Sequence, residues 1–277
     1  MRARSILLAA LILTASLPAA AQELRPLYRV FLADGTTLVS FGEWMRVEDR
    51  LVLSVPTTPG AGPGDLHLVS IPIKTVDLPR SERYADAVRA TNYAATRGEA
   101  DFAKLSGDVA HALNQIAVIP DPRERLKAAE RARHSLTEWP GAHYGYRAAE
   151  VREIIGVLDG VISGLRASAG QAGQGRFDLA LSATTDPVVE PLQAPPDHTE
   201  VAQQLMKAST LASSPAEKVS LLQSVVALVD RAMDLLPTAL ATTIRATALG
   251  GIAEEQRIDS LYARLRAVTL SEAEHHA

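Results

Sequence analysis

Seven histidines and thirty-two aspartates and glutamates are the side chains of this 277-residue chain that could ligate a metal or move protons, and it has no cysteine. Without thiols there is no disulfide framework, thiolate zinc site, iron–sulfur cluster, cysteine nucleophile or acylated lipoprotein cysteine. The histidines lack ligand spacing: there is no HExxH, no pair at i, i+4, and no Asp-rich calcium loop. At about 100° per residue, His111 falls opposite the apolar stripe of its helix and His134 outside the Leu126/Ala129/Leu136 face. His67 sits in a strand, and His198, His275 and His276 lie in or near loops or the tail. No GxSxG elbow occurs. Gly170, Gly173 and Gly175 follow a helix rather than a strand and lack the Lys-Ser/Thr of a phosphate loop. Glycosidase-type carboxylate pairs are spatial, and nothing in the sequence singles one out. The expectation is no catalytic residue, no metal and no cofactor.

Binding chemistry is more concentrated. Trp139-Pro-Gly-Ala-His143-Tyr144-Gly-Tyr146-Arg147 gathers three of the twelve aromatics into eight residues at a helix junction. It reads either as a stacking platform for a glycan or peptide, with Arg147 for a carboxylate, or as a packed corner. The next helix places Gly156, Gly160 and Gly164 opposite a stripe of Val151, Ile154, Ile155, Leu158, Val161, Ile162 and Leu165. Three interior glycines cost roughly 2–3 kcal/mol against alanine, so this ridge predicts close cover, from within the chain or from a second copy in a homodimer. Arg123, Arg125, Lys127, Arg131 and Arg133 are interleaved with Glu124 and Glu130. They read as a salt-bridged face, with contact to an anionic lipid or polymer as the other option.

The elements that position these residues begin with an address. Arg2 and Arg4, an apolar run from Ser5 to Leu17, and Pro18-Ala19-Ala20-Ala21 have the form of a secretory signal peptide over 1–21. The apolar run is too short to span a bilayer, and no later stretch reads as a transmembrane segment. The net charge of −4 would fall to −6 once Arg2 and Arg4 are removed, which argues against a nucleic-acid partner.

Period-two alternation over 22–79 predicts a small β module of four or five strands, a sheet or SH3-like barrel. Asp34-Gly35 is its hairpin turn, one strand runs Leu38 to Met45, and Glu48-Asp49 turns the next. After Pro79 the period becomes 3.6. Helices over 80–170 break at Gly98, restart at Asp121-Pro122, stop at Trp139-Pro140-Gly141 and resume from about Ala142 to Ser168. A Pro/Gly linker covers 171–197. Within it the alternation at 176–182, with Phe177, Leu179 and Leu181 on one side, reads as a strand rejoining the β module or as a disordered linker. A second helical segment, 198–277, begins with a helix from about His198 to Ala212, and Ser214-Pro215 opens the next one, with Glu217 completing a capping box if Ser214 is the N-cap. Aromatics at 4% of the chain suit such an Ala/Leu-rich body.

The strings YRVFLADGTTL, DRLVLSVP and LVSIPIKTVD resemble small β modules near the start of many bacterial exported proteins. Ala128, Ala132, Ser135, Leu136 and Pro140 are similar to the small, large and proline positions of the second helix of a tetratricopeptide repeat. Val225, Val229, Ala232, Met233 and Pro237 echo them, while the first-helix signature is absent from both halves. This resemblance implies duplicated helical hairpins and a peptide-binding groove.

These observations predict an α+β, predominantly α chain: a small N-terminal β module and a bundle of about seven helices. The expected function is a non-catalytic interaction or scaffolding role in the cell envelope, periplasmic or secreted, with a protein partner. A periplasmic hydrolase acting on glycan or peptide is the alternative. Surface binding to a membrane would need a contiguous exposed apolar stripe, and the stripes read as consumed by the bundle.

Overall fold

The computed structural model describes residues 26–62, 64–168 and 190–275. The expected leader and the 176–182 strand lie outside the described residues.

β1 (Leu27–Phe31) and β2 (Thr37–Phe41) form the expected hairpin, with Leu27 opposite Phe41. Asp34 fixes its turn by accepting from the Thr36 amide at 2.9 Å and hydroxyl at 2.6 Å, while Gly35 takes the left-handed φ of 87°. The strand expected over 38–45 is two strands. Gly42, with φ 89°, bends the chain out of β2, and β3 (Met45–Val47) starts afresh. β3, β4 (Arg50–Pro56) and β5 (Leu66–Pro72) are successive antiparallel neighbours. The module is therefore two small sheets, joined where the Ser54 amide donates to the Ser40 hydroxyl, while Leu32 after β1 bridges Val76 beyond the end of β5.

Asp77 caps α1 (Leu78–Tyr93) by accepting from the Arg80 amide. The expected break at Gly98 does not occur. A π turn (Ala94–Gly98) carries the rod directly into α2 (Glu99–Val118), and Gly98 has helical φ and ψ of −53° and −46°. α3 (Pro122–Ala142) opens on the predicted Asp121 cap but runs through Pro140 rather than stopping there. A proline near a C-terminus forfeits one ladder bond, and the Pro140 carbonyl collects the amides of His143 and Gly145. α4 (Ala148–Ser168) starts later than expected, because 143–147 form a separate turn. α5 (His198–Leu211), α6 (Pro215–Arg231) and α7 (Thr238–His275) complete a predominantly helical α+β chain. With α1 and α2 fused, the helices make six rods rather than seven.

Hydrophobic burial follows space rather than chain order. One cluster unites Leu38, Leu51, Leu53 and Val69 of the β module with Leu205, Leu221, Val225 and Ile244 of α5–α7. Buried and half-buried polar groups register the two parts. Gln204 accepts from the Val39 amide at 3.0 Å and Glu217 from the Ser70 amide at 3.1 Å. The buried Arg29 guanidinium pairs with Glu200 and donates to the Ala194 carbonyl at 2.7 Å. Residues 190–197 thus lie along the β module, where Glu190 also meets Arg80 and the Gln193 amide donates to the Tyr84 hydroxyl. α1 covers β1 through Tyr84, Ala85 and Val88 against Tyr28 and Phe31.

Ser214 caps α6 as expected, but the Glu217 carboxylate turns to the Ser213 amide and hydroxyl and to β5. Burial raises the Glu217 pKa, and the hydrogen bonds from Ser213 and Ser70 with the nearby Arg50 charge outweigh it, leaving a net lowering from 4.5. A carboxylate with a lowered folded pKa stabilises above its unfolded pKa, and this contribution disappears as pH falls through the folded value. Glu217→Gln is accordingly expected to melt below the wild type at neutral pH and to converge on it in acid. Parallel melting curves from neutral to acid would contradict this assignment.

Candidate functional site

α2, α3 and α4 pack on clusters of their own, Ile116, Leu126, Ala129 and Ile162 in one and Leu136, Val151 and Leu158 in the other. Arg133–Asp159 at 2.5 Å and Arg166–Glu130 at 2.7 Å tie α3 to α4. Lys127 meets Glu124, and Arg125 donates to the Ile119 carbonyl, so much of the basic run is engaged within the chain.

α2 is held less closely. Its stripe of Phe102, Leu105, Val109 and Leu113 is only half-buried, leaving an apolar groove of about 280 Å³ between α2 and α3. Leu105, Val109, Leu113 and Ile116 form one wall, Ser135 and Trp139 belong to the other, and Leu158 contributes from α4. Asp108 is the one titratable residue among those lining it. From Leu105 to Ile116 the groove spans about three helical turns, roughly 16 Å.

The aromatic corner closes one end. Trp139 stacks on His143 with ring centroids 4.1 Å apart and an interplanar angle of 11°, and meets Phe102 edge-on at 6.0 Å. Tyr93, from the end of α1, is the hub: His143, Tyr144 and Tyr146 have their rings at 5.8, 5.5 and 6.0 Å from it. Burial and a hydrogen bond to Asp101 push the Tyr93 phenol up to about 12, so it stays protonated across the physiological range. Arg147 is not free to receive a carboxylate ligand. It pairs with Glu99 at 2.9 Å and Glu150 at 3.5 Å and lies 4.7 Å over the Phe102 ring. The Tyr146 hydroxyl donates to the same Glu99 carboxylate.

Tyr144, Gly145 and Arg147 all have left-handed φ, 54°, 73° and 46°. For the two non-glycine residues this costs on the order of 1–2 kcal/mol each, held by the aromatic packing and by the bond from the Gly145 amide to Pro140. Gly98 belongs to the same arrangement. A Cβ there would lie 2.9 Å from the Tyr146 ring, so the glycine gives the ring its seat against the π turn. The five residues predicted at 139–147 are thus brought together, chiefly as a packed corner; Tyr144 stays half exposed and Trp139 faces the groove. The sequence reading did not single out Tyr93, Gly98, Glu99 or Phe102 as its partners.

The glycine ridge is not covered by the described residues. Beyond the helix's own backbone, no described atom comes within 4 Å of a Cβ built at Gly156, Gly160 or Gly164, and Val157 beside them is exposed. Among the described residues the ridge is therefore an open face, without the close cover expected from within the chain. On an open face Gly160→Ala should raise unfolding stability by about 1 kcal/mol through helix propensity. Denaturant melts check this, and a loss of stability would mean that the ridge is covered.

Among the described residues there is no cluster of three metal-capable side chains, and no helix is long and apolar enough to cross a membrane. The class these observations define is a predominantly helical α+β chain with an apolar interhelical groove ending in an aromatic corner. No protein-family model, curated protein or solved structure matches it.

Proposed function

We propose that the chain is an exported, non-catalytic interaction module of the cell envelope, periplasmic or secreted. Its α2–α3 groove takes the apolar face of an amphipathic helix from a protein partner. The observation that carries this reading is the groove itself: three turns long, apolar along both walls, and bounded by Trp139 at the corner. That length suits anchors at i, i+3 or i+4, and i+7 of an inserted helix. Asp108 alone on the rim supplies no acid–base pair, which weighs against the hydrolase alternative. A homodimer through the open α4 face is compatible with this use of the groove, since the ridge lies on another side of the hairpin. Ser135→Arg places a long cation in the groove from an exposed position. Co-purification from cross-linked cells is expected to recover one discrete partner with the wild type and none with this variant. Equal recovery by both would overturn the groove reading.

A further inference from the structure

The outer part of α7 carries a second, separate surface. Glu255, tied to Lys218 at 2.6 Å, is the last buried residue of the helix among those whose side chains are described, and Ile258 is half-buried. From Asp259 to Thr269 every side chain is exposed, including Leu261 at 49%, Tyr262 at 58% and Leu265 at 60%. The bundle expected to consume the apolar stripes leaves this one facing outward. At about 100° per residue, Ile258, Leu261, Leu265 and Tyr262 fall within one arc of roughly 100°. Arg257 and Arg264 border it on one side and Arg266 on the other, where Asp259, the one acid between 257 and 268, projects about 20° from Arg266. Arg257 forms an intrahelical pair with Glu254, and Arg264 and Arg266 have no ion pair among the described residues.

We propose that this stretch of α7 lies flat on an anionic phospholipid surface. Leu261, Tyr262 and Leu265 enter the boundary between headgroups and acyl chains, and the three arginines meet lipid phosphates. Charge complementarity selects this occupant. Arginines on both borders of an apolar arc place cations at headgroup level while their stems lie along the apolar face, and the acidity of the chain as a whole makes the local reversal specific. A protein partner would have to supply a groove for a convex lone helix, whereas a lipid surface deforms around one. The proposal is independent of the α2–α3 groove.

Flotation of the full chain with vesicles of phosphatidylglycerol and phosphatidylcholine tests it, compared with variants in the same background so that any contribution of the N-terminal apolar run is common to all. Arg257→Gln/Arg264→Gln/Arg266→Gln is expected to weaken partitioning on the order of a hundredfold. Leu261→Glu/Leu265→Glu is expected to weaken it roughly tenfold or more. Far-UV circular dichroism should stay unchanged for both, since every substituted residue is exposed. Wild-type binding that survives both sets, or no wild-type binding, overturns the proposal. So does a shift from dimer to monomer in sedimentation on Leu261→Glu/Leu265→Glu, which would assign the face to a second copy.

Discussion

Leu205→Ala is expected to lower the unfolding free energy by about 2–5 kcal/mol, the range for a fully buried leucine. Leu205 is 0% exposed in α5, the helix that meets β2, β5 and α6 together. Truncation leaves a void in the one cluster that contains both the β module and α5–α7. The two tryptophans make the outcome specific. Trp44 packs against the β core and has its ring 6.1 Å from Tyr28, whereas Trp139 reports the α2–α4 hairpin. In a Trp139→Phe background, the Trp44 fluorescence transition should move with the far-UV signal of the helices when Leu205 is truncated. A Trp44 transition that stays put would mean that the β module is stable without the C-terminal helices.

Trp139→Ala is the second large effect, about 3 kcal/mol, near the bottom of the range for buried tryptophan because the ring is only half-buried. It removes the stack on His143, the edge contact to Phe102 and one wall of the groove in a single change. The strained turn at Tyr144 and Arg147 then loses part of the packing that holds it. Partner recovery is expected to vanish with it. Trp139→Phe keeps an aromatic plane and should retain most of the stability and some of the partner. If Trp139→Ala melted like the wild type and still bound, the corner would be neither a structural closure nor part of the site.

Local chemistry was legible in the sequence and long-range chemistry was not. The Asp34-Gly35 hairpin and the Asp121 and Ser214 caps are each decided within a few residues, and each is where the pattern placed it. Gly98 and Pro140 were read as breakers because their intrinsic costs, about 1 and 3 kcal/mol, are all that a local reading weighs. Tertiary context outweighs the first, since the Tyr146 ring fills the space beside Gly98, and the turn that follows offsets the second, since the amides of His143 and Gly145 cap the carbonyl of Pro140. The corner itself was visible as a cluster of aromatics. Its hub was not, since Tyr93 lies some fifty residues upstream and arrives only because α1 and α2 are one rod. The joint between the β module and the C-terminal helices was sought at 176–182. Among the described residues it rests on Arg29, Gln204 and Glu217, whose bonds to the other part cross more than a hundred positions without a periodic signal. The α4 ridge and the outer α7 stripe show the reverse error, because a pattern identifies an apolar or small face without saying whether anything lies against it.

The central claim is that the α2–α3 groove is where a protein partner docks. A photo-crosslinking amino acid at Ser135, on the groove, and at His111, on α2 away from the apolar stripe, tests it directly in intact cells. The groove position is expected to give one discrete heterologous adduct that disappears in the Trp139→Ala background, with none from position 111. Equal adducts from both positions, or self-adducts alone from position 135, would contradict it.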